Sequence, residues 1–350
     1  MIPNMWYALI ESTEVKPGKP LGVRRLGMEL VFWRKPDGQI VVMRDLCPHR
    51  QAKLSGGKIV EGNIQCPYHG FQYDAAGACQ LVPANGRNGP KPRMFQCLTF
   101  PAREAHGFVW VWYGEPRAEY PPLAYFDDLE GVPYATKAIH WNVDHTRAIE
   151  SVLDVSHLPF VHANTIGRGG RTLVNGPYTT LANDKIRVWV SNQPDAGLPA
   201  IKPSQVPESN EPPMLWFNFP NVWRIRLAPQ VSQALVFAPI DDENTMLYLR
   251  SYQGFVRAPL LGGLLAWIAN QFNAQVLQED ARVVMTQTPK KSGLDVGDRY
   301  IPSDRPIALY LAHRRDLILA AQNPGLTPVT ATSRAALRPG ERMPTTGDRR

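Results

Sequence analysis

Short apolar runs broken by turn formers dominate the first third of the chain. Glu29–Trp33 and Gln39–Met43 are two such runs, and the Lys35-Pro36-Asp37-Gly38 segment between them predicts a β-hairpin. Gly107–Gly114 reads GFVWVWYG, an aromatic and β-branched stretch that predicts a strand. The pattern stops at Glu115-Pro116, and a proline-bearing stretch runs on to Pro122, which predicts a domain boundary. Beyond it the periods mix. Thr146–Val161, Leu264–Met285 and Arg305–Ala321 read as helical, and Lys185–Val190, Met214–Leu227, Ala234–Ala238 and Met246–Tyr252 as strands. Asn192–Pro213, rich in Pro, Ser and Asn, predicts a loop, and the polar tail from Arg338 predicts a frayed end. No internal repeat is found. The expected architecture is therefore α+β: an all-β domain over residues 1–117, an α+β domain over 118–337 and a flexible tail over 338–350.

Composition narrows this picture. With 350 residues, 44% of them hydrophobic, the chain can bury cores for about two domains. A charged fraction of 20% argues against wholesale disorder. The 38 basic and 31 acidic residues leave a formal charge of +7, without a dense Lys/Arg block or an aromatic-interleaved basic stripe, so nucleic acid is not an expected partner. The longest apolar run, Ala258–Ala269, falls short of the ~20 residues a membrane span needs, and is expected to pack inside the protein. The opening MIPNMWYALI lacks a basic region followed by an apolar run, so a cytoplasmic location is expected. In that setting Cys47, Cys66, Cys79 and Cys97 are expected to be reduced thiols or metal ligands, not disulfides.

Two of those cysteines have histidine partners. The chain reads CPHR at Cys47–Arg50 and CPYHG at Cys66–Gly70, so each of two short loops carries one Cys and one His. Two thiolates and two imidazoles can close around a small iron–sulfur centre, and imidazoles in place of thiolates on one iron raise its reduction potential. A zinc site takes the same donors, but its usual pairs are Cys with Cys and His with His. Cys79 and Cys97 lack such partners and are expected to be ordinary buried cysteines.

A second constellation lies in AIESVLDVSHLPFVH, Ala148–His162. Glu150, Asp154 and His157 fall at helical spacing and are expected to share one helix face. Pro159 is expected to kink or end that helix, so that His157 and His162 converge. Two histidines and one carboxylate with open positions form the facial triad of non-haem Fe(II) oxygenases. The third ligand must come from elsewhere. VLQEDARVV, on the second long helix, offers Asp280, with Glu279 as the neighbouring alternative. His106, His140, His145 and His313 have no comparable setting, His140 and His145 being the nearest rivals.

At Cys47–Arg50 and Cys66–Gly70, with Pro48, Pro67, Tyr68 and the following FQYD at Phe71–Asp74, the chain resembles the Rieske iron–sulfur domain. Together with Glu150, Asp154, His157, His162 and the Gln-Glu-Asp segment, roughly residues 5–290 resemble the α subunit of Rieske non-haem iron ring-hydroxylating oxygenases, most of all their monooxygenase and O-demethylase branch. The resemblance implies an N-terminal Rieske domain and a helix-grip-like catalytic domain. It implies one [2Fe–2S] cluster on Cys47, Cys66, His49 and His69, and one Fe(2+) on His157, His162 and Asp280. It implies a catalytic role for Asp154, bridging His157 to His69 of a neighbouring chain in a head-to-tail homotrimer, with a β subunit optional. The implied function is hydroxylation or O/N-demethylation of an organic, aromatic or cyclic, substrate with O2. Electrons come from a separate NAD(P)H-dependent reductase, with or without a ferredoxin, since no G-x-G-x-x-G follows a strand here. A cis-dihydroxylating dioxygenase would use the same ligands. A Rieske electron carrier would lack the downstream histidines. The excess positive charge fits an acidic electron donor.

Overall fold

The computed structural model describes residues 1–207, 209–256 and 258–323. The expected tail at 338–350, and the end of the expected second domain, lie outside the described residues.

The N-terminal part is all β. Met5–Glu11 pairs antiparallel with Phe108–Tyr113, so the first strand and the predicted GFVWVWYG strand close the domain on itself. The predicted hairpin is present as Met28–Arg34 and Ile40–Arg44, inside a four-stranded sheet with Leu21–Arg25 and Thr99–Phe100. A second four-stranded sheet, Lys58–Val60, Asn63–Gln65, Gln72–Tyr73 and Cys79–Leu81, is made of strands too short to show a period in the sequence. The two Cys/His loops hang from this part of the fold.

The C-terminal part is built on one antiparallel seven-stranded sheet. Its order is Tyr134–Trp141, Thr245–Gln253, Val231–Pro239, Val222–Ala228, Leu215–Asn218, Lys185–Gln193 and Leu173–Ala182. The predicted Met214–Leu227 strand is thus two strands, turned at Phe219-Pro220. Leu173–Ala182 escapes the sequence pattern because Gly176 and Pro177 interrupt it. It holds as an edge strand with a bulge there, where a missing donor costs least.

Because side chains alternate, the sheet buries both faces. Val222, Ala234, Val236, Ala238 and Tyr248 meet Trp6, Trp110 and Trp112 of the N-terminal part. Trp223, Leu235, Phe237, Leu247 and Leu249 face the helices. Buried polar contacts lock the first of these interfaces. Asn221 Nδ2 donates to Ala8 O, and the Arg250 guanidinium donates to His106 O, Gly107 O and Glu11 while lying over the Phe108 ring at 3.6 Å.

Four helices cover the other face: α1 (His145–Leu153), α2 (Leu158–Val161), α3 (Pro259–Val284) and α4 (Arg305–Gln322). The expected single helix over Thr146–Val161 is broken. Asp144 caps α1 by accepting from Thr146 N, and α1 ends at Asp154, which is extended at ψ 130°. The break therefore precedes His157, and Pro159 sits in the first turn of α2, where its missing N–H is tolerated. The Ala258–Ala269 run also departs from expectation. Gly262 and Ala266 face inward, and a Cβ on Gly262 would fall 2.6 Å from Val256 O, so only small residues fit that side. The large side chains point outward instead: Leu260 is 93% and Trp267 55% exposed. No described helix is long and apolar enough to cross a membrane.

Candidate metal centres

The two Cys/His loops share one construction. Cys47 N–H donates to Ala52 O and Gln51 N–H to Cys47 O; Cys66 N–H donates to Phe71 O and Gly70 N–H to Cys66 O. The fifth residue of each loop has positive φ, Gln51 at 58° and Gly70 at 73°. The turns thus fold back so that each cysteine points in and each histidine comes over the top. Both cysteines are 2% exposed, His49 is half-buried and His69 is exposed. The two imidazoles stand 4.7 Å apart between ring centres, and His49 stacks flat on Phe71 at 4.6 Å.

These four residues fit a two-iron cluster better than a single ion. A tetrahedral ion would draw all four donor atoms together, yet the only group of three or more donors within 4.8 Å among the described residues lies elsewhere. A buried thiol pair with a histidine pair nearer solvent is the division that a cluster with thiolates on one iron and imidazoles on the other requires. Burial, with Cys47 beside it, pushes the Cys66 thiol up, so the pair needs a cationic partner to ionise. Tyr73 adds a contact not anticipated from the sequence: its hydroxyl is 3.2 Å from Cys47 Sγ. Cys79 and Cys97 are free and buried in the core behind the loops, the latter pushed up to about 12 by burial.

The donor group within 4.8 Å is His157, His162 and Asp280. His157 lies at the start of α2, His162 just past its end, and Asp280 reaches in from the last turns of α3. The two Nε2 atoms are 3.3 Å apart, and Asp280 Oδ1 is 3.3 Å from one and 3.0 Å from the other. Donors at right angles around one ion, each about 2.1 Å from it, stand roughly 3 Å apart, so this triangle is one face of an octahedron. Burial disfavours the cationic form of both rings, yet the carboxylates outweigh it, lifting His157 to about 9 and His162 above its ordinary value. The site is electrostatically prepared for a cation.

Glu279, weighed as an alternative ligand, has a different position. Its Oε2 is 2.8 Å from His162 Nδ1, the nitrogen facing away from the donor triangle, and accepts from Thr165 Oγ1 at 2.7 Å. That contact fixes the tautomer leaving His162 Nε2 free. The only advance signal was its place beside Asp280.

Glu150 lines one cleft with Asp154 and His157, but its carboxylate is not among the triad donors. It bonds Arg147 and Ser292 instead. Asp154 Oδ1 accepts from Ser156 N at 2.7 Å and Ser156 Oγ at 2.8 Å, and stands 3.7 Å from His157 Nδ1, an ion-pair distance too long for a hydrogen bond. Burial opposes ionisation of Asp154, but His157 and Ser156 more than offset it. Its Oδ2 has no partner among the described residues, and the side chain lines an open cleft of about 310 Å³ with Arg299, Tyr300 and Asp304. On the other side of the triad lies an apolar cavity of about 200 Å³. His106, His140, His145 and His313 are engaged elsewhere, with Tyr125, Asn244, Asp144 and Asp184.

Comparison with known proteins agrees with this two-centre layout. Residues 5–101 match the Rieske [2Fe-2S] domain, and residues 141–311 match the vanillate O-demethylase oxygenase C-terminal domain. The chain belongs to the Rieske-type non-haem iron oxygenases, whose cofactors are a [2Fe–2S] cluster and a mononuclear Fe(2+). It is 34% identical over 164 residues to the oxygenase component of dicamba O-demethylase from Stenotrophomonas maltophilia, a match spanning 46% of this chain and 48% of that one. It is 28% identical over 308 residues to the methylxanthine N1-demethylase NdmA of Pseudomonas putida, 83% of each chain. The aligned region thus spans about half the length of several curated relatives. The fold superposes on Pseudomonas putida CBB5 NdmA with a TM-score of 0.73 at 24% identity, covering 91% of both chains. On dicamba monooxygenase bound to 3,6-dichlorosalicylic acid the TM-score is 0.74 at 22% identity, covering 92% and 99%.

Proposed function

We propose that this protein is the oxygenase component of a multicomponent system that hydroxylates or O/N-demethylates a ring compound with O2. The observation that carries the reading is the triangle of His157, His162 and Asp280 beside an apolar cavity, in one chain with a Rieske domain. An iron held by the triad supplies activation of O2 at its open positions. The protein holds the ligand set, fixes His162 through Glu279, and lines the cavity with apolar side chains such as Trp223, Leu235 and Phe272. For an O-methyl substrate the balance is simple. One oxygen atom enters a methyl C–H bond, and the other leaves as water after uptake of two electrons and two protons. The product hemiacetal then separates into the free hydroxyl and formaldehyde.

The electrons are supplied by a separate reductase, directly or through a ferredoxin, and enter at Cys47, His49, Cys66 and His69. Within one chain the N-terminal part packs on one face of the seven-stranded sheet and the triad lies on the other. That separation supports delivery between chains, with His69 of a neighbouring chain meeting the open Oδ2 of Asp154 in a closed head-to-tail homotrimer. Tyr68 at 58% and Met94 at 79% exposure beside the cluster, and Phe160 at 71% by the triad, are apolar surface suited to such a contact. We take residues 1–117 and 118–337 as the two domains and the cytoplasm as the location. Turnover under labelled O2 tests the reading: one labelled atom in a hydroxylated ring product, or for demethylation an unlabelled free hydroxyl formed with one formaldehyde and one O2 consumed, supports a monooxygenase. Two labelled atoms in the ring product would make it a dihydroxylating dioxygenase, and no O2 consumption coupled to product with any ring substrate refutes oxygenase activity.

A further inference from the structure

The cavity beside the triad is walled by alternate residues of neighbouring strands, among them Val190, Trp223, Ile225 and Leu235, and roofed by Phe272 and Val276 of α3. Among the described residues its lining contains no lysine or arginine. With iron on the triad the two histidines are neutral and Asp280 and Asp154 offset the charge of the ion, so an anion drawn in would lose its water and meet no net counter-charge from the described lining. Besides Asp154 and the triad, the polar side chains along it are Ser151, Asn192, Gln233 and Asn273, all neutral. Two of these already donate to the protein: Ser151 Oγ to Ala148 O and one N–H of Asn192 Nδ2 to Val155 O.

The other two are arranged differently. Ser251 Oγ donates to Asn270 Oδ1 at 2.6 Å and accepts from Asn273 Nδ2 at 2.8 Å, which pins the Asn273 amide and leaves its oxygen as an acceptor. Gln233, half-buried on its strand, has no side-chain partner among the described residues, so both its donor and its acceptor are unspent. A partly desolvated amide of this kind is stabilised by a ligand that pairs it. The cavity, about 200 Å³, is below the roughly 300–1,000 Å³ usual for small-molecule sites, so its occupant is small.

Resting on the oxygenase reading above, we propose that the substrate is a small, uncharged ring compound with one hydrogen-bonding group, read by Gln233 and Asn273. Carboxylate and sulfonate ring compounds are disfavoured, since no described lysine or arginine lines the cavity and Asp154 and Asp280 offset the charge of the ion, and large macrocycles are disfavoured by size.

Three probes of one ring separate charge from shape: veratrole, veratramide and its near-isosteric anion veratrate. Calorimetric titration of the iron-loaded, cluster-bearing protein at neutral pH without O2 should find veratramide bound at least about tenfold more tightly than veratrate. Gln233→Leu should weaken veratramide by about tenfold, the worth of one hydrogen bond, and leave veratrole unchanged. Gln233→Lys should reverse the preference toward veratrate. Equal or tighter binding of veratrate by the parent protein would overturn the proposal. So would a Gln233→Leu loss shared by all three probes, or binding of none. None of these results touches the oxygenase reading, which fails separately if the triad takes no iron or if no product forms with coupled O2 consumption.

Discussion

All four residues proposed to hold the cluster come from one stretch, Cys47–His69, on two turns of the same construction, whereas the proposed mononuclear centre takes two histidines from around α2 and its carboxylate from the far end of α3. Exposure differs too: His69 is open to solvent, while His162 is 1% exposed. A centre that passes electrons needs an edge where a partner can approach. A centre that handles O2 and substrate needs enclosure and a rigid ligand set, which here requires elements brought together by tertiary packing.

Changes to the triad should break this comparison most sharply. His162→Ala should remove the mononuclear iron and lower turnover by at least ~1000-fold, because the open metal site itself is lost, while the cluster's visible spectrum stays intact. Glu279→Ala should keep the iron at saturating metal and weaken its affinity by about 10–100-fold, as expected for loss of a contact to a ligand's far nitrogen. Equal iron loss in both variants would make Glu279 a ligand.

Asp154→Asn tests the link between the centres. The amide oxygen can still accept from Ser156, so the turn and both metals should remain. Reoxidation of the reduced cluster with substrate and O2 should nevertheless slow on the order of 100-fold. Reoxidation and product formation at the parent rate would remove Asp154 from the electron path.

Smaller effects belong to the cluster side. Tyr73→Phe deletes a donor to Cys47 Sγ and should lower the cluster potential by on the order of 40 mV, about 1 kcal/mol for a one-electron couple. An unchanged potential would make the Tyr73 hydroxyl a packing contact only. Smallest is the salt effect. With a net charge of +7, cluster reduction by an acidic donor should slow as ionic strength shortens the screening length below about 8–10 Å, and a flat response would remove the electrostatic part of the docking idea.

The same contrast explains what the sequence could reveal. A cluster centre confined to one stretch is legible as spacing, and so were the hairpin at Lys35–Gly38 and helix α4. His157, His162 and Asp280 were legible as residue types, with Asp280 ahead of Glu279 as the carboxylate, but the contact of Glu279 with the far nitrogen of His162 was not, since it is set by which side of α3 meets α2. The helix break was misplaced at Pro159 because a proline in a first turn and one in a helix interior read alike; Asp154, with its Ser156 contacts, makes the break. In the Ala258–Ala269 run hydrophobicity does not mean burial, because close approach to Val256 O demands glycine inside and sends the leucines out.

The claim that one chain holds two separate iron centres is tested most directly by counting metal. Purified protein should contain about three irons and two acid-labile sulfides per chain, and Asp280→Ala about two irons with both sulfides retained. Stoichiometric zinc without sulfide, or about two irons in parent and variant alike, would contradict the account.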